Sequence, residues 1–94
     1  MIATYYHPHV LSVGRPPAHV RYCAMRGHLH ETAVVTLPNG RTVRFVVLDQ
    51  CRRRGVIDIP AHEFRHRFGP KAMHAGRVKV RVMFLRRRKH SRGV

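Results

Sequence analysis

The fold turns on the stretch Asn39-Gly40-Arg41-Thr42-Val43-Arg44-Phe45-Val46-Val47-Leu48-Asp49-Gln50-Cys51. Asn-Gly between two β-rich runs is the strongest short hairpin signal, because both residues tolerate positive φ. The run before it is Thr32-Ala33-Val34-Val35-Thr36-Leu37. The returning strand, Thr42 to Asp49, alternates at first, with Val43, Phe45 and Val47 on one face. Its later part is apolar on both faces, which predicts that this end is buried.

Outward from the hairpin the chain reads as further short strands. Ile2-Ala3-Thr4-Tyr5-Tyr6 is β-branched and aromatic, a strand pattern. Residues 7–22 carry His7-Pro8-His9, Gly14 and Pro16-Pro17, a long loop. Cys51 to Gly55 is a basic loop, and Val56-Ile57-Asp58-Ile59 is a short strand. Pro60 suits the first turn of a helix. Ala61 to Phe68 supplies about two turns, stopped by Gly69-Pro70. Val78, Val80, Val82 and Phe84 alternate with Lys79, Arg81 and Met83, a half-buried final strand. Residues 86–94 form a basic tail behind a single domain of residues 1–85. One short helix among many strands excludes a parallel α/β sheet. A small barrel is the natural solution, since closure removes exposed edges.

The chain has 94 residues, 19 Lys+Arg against 4 Asp+Glu, a net charge of +15 and 9 histidines. The tail holds five of the positive charges, leaving +10 on residues 1–85. Such a balance suits a polyanion: nucleic acid, an anionic membrane or an anionic cell wall. A hydrophobic fraction of 44% is ordinary for a globular chain and excludes charge-driven disorder. No apolar run approaches the roughly 18–20 residues of a membrane span. Met1 is followed closely by Thr4-Tyr5-Tyr6, without the apolar core or cleavage site of a secretory signal. The expectation is a protein cytoplasmic as synthesised, then carried in a virion or released to the wall at lysis, as a phage product would be.

Only four acids exist, and Asp49 and Asp58 sit at or in apolar strands. An ionised carboxylate is costly to bury unless it is paired or hydrogen-bonded. The plainer reading is an Asp that caps a loop or pairs with arginine. The functional reading is a catalytic or ligand-binding carboxylate.

Four segments in order resemble the double-psi β-barrels of the rare-lipoprotein-A-like lytic transglycosylases, the barwin proteins and the first domain of expansins. The 39–51 run is similar to their hairpin and Val-Asp-(Arg/Gln)-Cys segment. Gly55-Val56-Ile57-Asp58-Ile59-Pro60-Ala61-His62-Glu63-Phe64 resembles Gly-x-(Ile/Leu)-Asp-Leu-Ser-x-x-x-Phe. Ala75 to Val82 resembles the closing strand, and Ala3-Thr4-Tyr5-Tyr6 the opening one. The resemblance implies an all-β fold of small α content: a six-stranded double-psi β-barrel with one short helix and a groove that binds polysaccharide. Asp49 and Asp58 match the two acidic positions; such an Asp acts as general acid on a glycosidic oxygen in the enzymatic members, and Asp49 is the acid expected here. A lytic transglycosylase needs only one such carboxylate, because the muramic acid 6-hydroxyl replaces water; a hydrolase of the usual kind needs two. Tyr5, Tyr6 and Tyr22 are the aromatics available to the groove, with Arg52 and Arg53 beside it for an anionic substrate. Where the transglycosylases carry an Ala-His element, spacing from Asp49 puts Cys23. Barwin-like relatives pair cysteines around this hairpin, which implies a Cys23–Cys51 disulfide; two buried thiols are the plainer reading.

His62-Glu63-Phe64-Arg65-His66 spells the zinc motif His-Glu-x-x-His. The helix is two turns long, Phe64 and Phe68 anchor it, and the histidines then point to solvent. No metal and no cofactor are expected. Three function classes remain: a peptidoglycan-binding barrel with or without transglycosylase activity, a basic nucleic-acid binder using the tail and Arg52-Arg53-Arg54, and a virion structural protein.

Overall fold

The computed structural model describes residues 1–8, 11–15 and 18–85. The basic tail expected at 86–94 lies outside the described residues. Seven strands and two short helices follow one another: β1 (Ile2–Tyr6), β2 (Tyr22–Met25), β3 (Thr32–Thr36), β4 (Thr42–Asp49), β5 (Val56–Pro60), α1 (Ala61–Phe68), α2 (Pro70–Ala75), β6 (Val78–Lys79) and β7 (Arg81–Leu85). The fold is mostly β, as the alternation predicts. Neither helix is long or apolar enough to cross a membrane.

Among the described residues the strands make one sheet in the order β6-β1-β5-β2-β4-β3-β7, whose end strands β6 and β7 do not pair, so the sheet is not closed into the expected barrel. β1 runs parallel to β5, and β2 runs parallel to β4, while β2 and β5 meet antiparallel in the middle. Six strands were expected and seven are present, because the final strand divides. β6 pairs with β1, and β7 pairs with β3. Only Val80 lies between them; it is buried, and its N–H donates to the Met1 carbonyl at 2.9 Å. The unbroken alternation of residues 78–84 hides this change of partner.

The hairpin forms where Asn-Gly predicts it, but not as a two-residue loop. Gly40 N–H donates to the Leu37 carbonyl at 2.9 Å and Leu37 N–H to the Arg41 carbonyl at 2.8 Å. Of the two loop residues only Gly40 takes a positive φ, 87°. Pro38 at the first central position and Gly40 just past the turn give a type I turn with a glycine bulge. The Asn39 side-chain oxygen accepts from Arg41 N–H at 2.9 Å and fixes the bend.

The core takes alternate residues from each strand: Ala3, Cys23, Ala33 and Val35, Val43, Phe45 and Val47, Ile57 and Ile59. α1 covers it with Phe64, fully buried and packed against Tyr5 and Phe68 at ring distances of 5.1 and 4.7 Å. Gly69-Pro70 does stop α1, yet Pro70 also opens α2, since a first-turn proline loses no helical hydrogen bond. One helix was expected where two form.

Strict alternation beyond Val47 would aim Asp49 into this core. A register shift prevents it: Cys23 is opposite Val47, but the next residue, Ala24, is opposite Asp49. Leu48 is the extra residue of the bulge. A slip of one residue turns a side chain to the other face, so the bulge delivers Asp49 to the outer side.

Candidate functional site

Ala24 is the cross-strand partner of two acids, Asp58 on β5 and Asp49 on β4. Thr4 on β1 is opposite Asp58 in turn. Period-two alternation adds Tyr6 and Tyr22 to the same face. The outer face thus assembles Thr4, Tyr6, Tyr22, Asp49 and Asp58 around one small buried residue.

The two acids differ in what they do. Asp49 Oδ1 accepts from Ser12 N–H at 3.1 Å, Ser12 Oγ–H at 2.9 Å and Gln50 N–H at 2.9 Å. Its Oδ2 accepts from the Tyr6 hydroxyl at 3.3 Å. Asp49 therefore ties the 11–15 segment to the end of β4. That segment closes on itself through paired Leu11 and Gly14 backbone bonds of 3.0 and 2.9 Å. The plainer reading of an Asp in a strand, a loop cap, describes Asp49.

Asp58 is half-buried and has one hydrogen bond among the described residues, from Thr4 Oγ1–H to Oδ1 at 2.8 Å. Its Oδ2 accepts no side-chain hydrogen bond among the described residues. Burial pushes the Asp58 carboxyl above the ordinary carboxylate range. The Thr4 hydroxyl and Arg53 pull it back, and Asp49 adds to the rise. Burial likewise holds the Tyr6 and Tyr22 hydroxyls protonated, with the negative charge of Asp49 acting in the same direction.

Two open cavities lie at opposite ends of the antiparallel β2/β5 pair. One, about 360 Å³, is lined at the Tyr22 and Pro60 end by Arg21, His19, His62 and Glu63. The other, about 500 Å³, is lined at the Met25 and Val56 end by Arg26, Arg53 and Arg54. The Ala24–Asp58 pair sits midway. Val56 to Pro60 spans roughly 13 Å at about 3.3 Å per residue. Glu63 holds the first cavity's wall through Arg21 at 3.5 Å and Arg67 at 3.4 Å.

The remaining expected site residues fall elsewhere or play other parts. Tyr5 points to the opposite side from Tyr6, packs on Phe64 and donates its hydroxyl to the Met73 carbonyl at 3.1 Å. Its alternation with Tyr6 already implied that only one of the two could share the acids' face. Arg53 reaches Asp58 electrostatically, whereas Arg52 is exposed and offers its carbonyl to Arg26 Nη1 at 3.5 Å. Cys23 and Cys51 are free thiols. Cys23 is buried beneath the site, and burial together with Asp58 pushes its thiol far above the usual range. His62 and His66 are exposed on α1. Among the described residues no three His, Cys, Asp or Glu side chains gather as a metal site would need.

Sequence reasoning missed Thr4, Ser12 and Arg26, and singled out Arg54 only as part of a nucleic-acid-binding loop. Thr4 was legible from its spacing of two from Tyr6. Ser12, Arg26 and Arg54 lie in loops, where no periodicity says what they face. No protein-family model matches the chain, and no curated protein matches it.

Proposed function

We propose that this chain is a double-psi-type β-barrel that binds anionic cell-wall glycan across the β2/β5 pair, with Asp58 as the general acid of a lytic transglycosylase-like cleavage. The barrel reading is supported by the two parallel strand pairs and by the single residue, Val80, that separates the two ends of the sheet order. The observation that carries the function is Asp58 itself. It is half-buried, its carboxyl is raised, its Oδ2 is free, and it lies between two open cavities. An extended polymer laid along β2 and β5 would pass over it.

Protonated Asp58 gives its proton to the glycosidic oxygen as the bond to the anomeric carbon breaks. The muramic acid 6-hydroxyl attacks that carbon, and its proton returns to the Asp58 carboxylate, leaving an anhydro sugar and the regenerated acid. Tyr6 and Tyr22 offer protonated hydroxyls and ring faces to the sugars. Asp49, bound up with Ser12 and Tyr6, shapes the groove rather than donating a proton.

Incubation with peptidoglycan sacculi tests this. Wild type is expected to release anhydromuropeptides, seen by mass spectrometry, and Asp58→Asn to release none while still co-sedimenting with the wall. Unchanged product release from Asp58→Asn would remove Asp58 from the chemistry. A second reading, a nucleic-acid binder, is favoured by the net charge of +15 and by the arginines at the Val56 end. It requires an affinity for duplex DNA that falls steeply with salt and exceeds that for sacculi.

A further inference from the structure

We propose that the cavity lined by Arg26, Arg53 and Arg54 is a phosphate-binding pocket, and that the wall polymer is held there through a phosphate group it carries. The second half of this rests on the glycan reading above; the pocket itself does not.

Arg26, Arg53, Arg54 and His28 are among the residues that line a cavity of about 500 Å³, and no Asp or Glu lines it. The volume lies within the range of small-molecule sites. Among the described residues no ion pair is made by Arg26, Arg53 or Arg54, although Arg21 and Arg67 share Glu63 in the same molecule. Arg26 and Arg54 thus have no carboxylate partner among the described residues, and Arg53 acts on Asp58 only through space. The arginines come from two loops that the fold brings side by side. Arg26 follows β2, and Arg53 and Arg54 precede β5, which is antiparallel to it. Gln50 joins the loops by accepting from Gly27 N–H at 3.3 Å. Gly55, with φ of 71°, returns the chain to β5 and offers its carbonyl to Ile2 N–H at 2.9 Å. The pocket's loops are thus tied by these two hydrogen bonds while its arginines stay exposed. His28, which also borders this cavity, has its ring stacked on Phe84 at 3.8 Å and held by Glu31 at 2.9 Å.

Guanidinium groups bind oxyanions through paired N–H donors, and several of them around one cavity suit oxygens set tetrahedrally about phosphorus, as in a phosphate, better than the two coplanar oxygens of a carboxylate. Met25 and Val56 give the same cavity an apolar side, which fits the carbon skeleton next to the phosphate. The pocket lies two residues along β5 from Asp58. A phosphate seated there would set the register of the chain over the acid.

The test titrates the full chain with sodium phosphate and, separately, sodium acetate at constant ionic strength, following arginine side-chain N–H signals by NMR. Saturable shifts at Arg26, Arg53 and Arg54, absent at Arg41, are expected with phosphate. Arg54→Ala should weaken phosphate binding about tenfold and Arg41→Ala should leave it unchanged. Equal shifts at all arginines, or equal effects of the two anions, would overturn the pocket. Co-sedimentation then compares sacculi with their phosphodiester-linked polymers intact and sacculi stripped of them by hydrofluoric acid. Arg54→Ala should lose affinity for the intact wall only; equal loss on both would make carboxylates the ligand and overturn the proposal. Phosphate shifts without any wall binding by wild type would leave the pocket standing and remove the glycan reading. If short duplex DNA displaces the wall polymer and depends on the same arginines, the phosphate belongs to nucleic acid and the wall half of the proposal falls.

Discussion

Asp49 and Asp58 flank the same residue, Ala24, from the two strands that border β2. One is saturated with donors from a surface segment; the other keeps an oxygen free. Two chemically identical side chains are given different surroundings by their neighbours alone, one holding a loop and one half-buried beside Thr4.

The raised carboxyl of Asp58 has a consequence for stability. Burial favours its neutral form, so the folded chain binds this proton more tightly than the unfolded chain, whose value is near 3.8. The stability that the neutral acid contributes is full below that value and is lost as pH rises through the higher folded value. Asp58→Asn removes the titration and keeps an acceptor for Thr4. Thermal melts across pH should show wild type falling relative to Asp58→Asn as pH rises through that window. A constant difference at every pH would mean that Asp58 titrates normally.

Asp49 is expected to act on the loop before the fold. Asp49→Ala removes the acceptor of Ser12 N–H, Ser12 Oγ–H and Gln50 N–H, at a cost of about 1–3 kcal/mol, since such bonds to a charged group are partly exposed here. Amide exchange at Ser12 and Gln50 should accelerate more than exchange in β4. Uniform acceleration across the sheet would assign Asp49 a global role instead.

Phe64 carries the attachment of α1. It is fully buried and touches both Tyr5 and Phe68. Phe64→Ala should destabilise the chain by about 3–5 kcal/mol in denaturant titration. Phe68→Ala, at a partly exposed ring, should lose clearly less. Equal losses would show that the helix is held by the pair and not by Phe64.

Strands and helix that announce themselves by period or punctuation were legible in the sequence. β1, β3, β4, β5 and α1 form at the expected places because Ile2–Tyr6, Thr32–Thr36, Thr42–Asp49 and Val56–Pro60 are β-branched and Pro60 introduces a short amphipathic turn. β2 was not legible. Tyr22-Cys23-Ala24-Met25 has no polar alternation because three of its four residues are buried, and its strand state is imposed by β4 and β5 on either side. The acids were legible as carboxylates out of place in apolar strands. Their division of labour was not, since it depends on Ser12 and Thr4, 37 and 54 residues away in sequence. The bulge at Leu48 was equally hidden, because it is defined by the register of β2 against β4.

The division of the last strand around Val80 bears on how the chain reaches its fold in time. β6 covers the outer edge of β1 and β7 covers the outer edge of β3, so both edges wait for residues 78–85. β1 also has no partner until β5 exists, 54 residues later. Pairings of such sequence separation are slow to form. With β1 to β5 formed and residues 78–85 not yet docked, one edge each of β1 and β3 is bare, and bare edges are prone to pair with other chains. One short segment, residues 78–85, thus covers two strands that lie far apart in the sheet order.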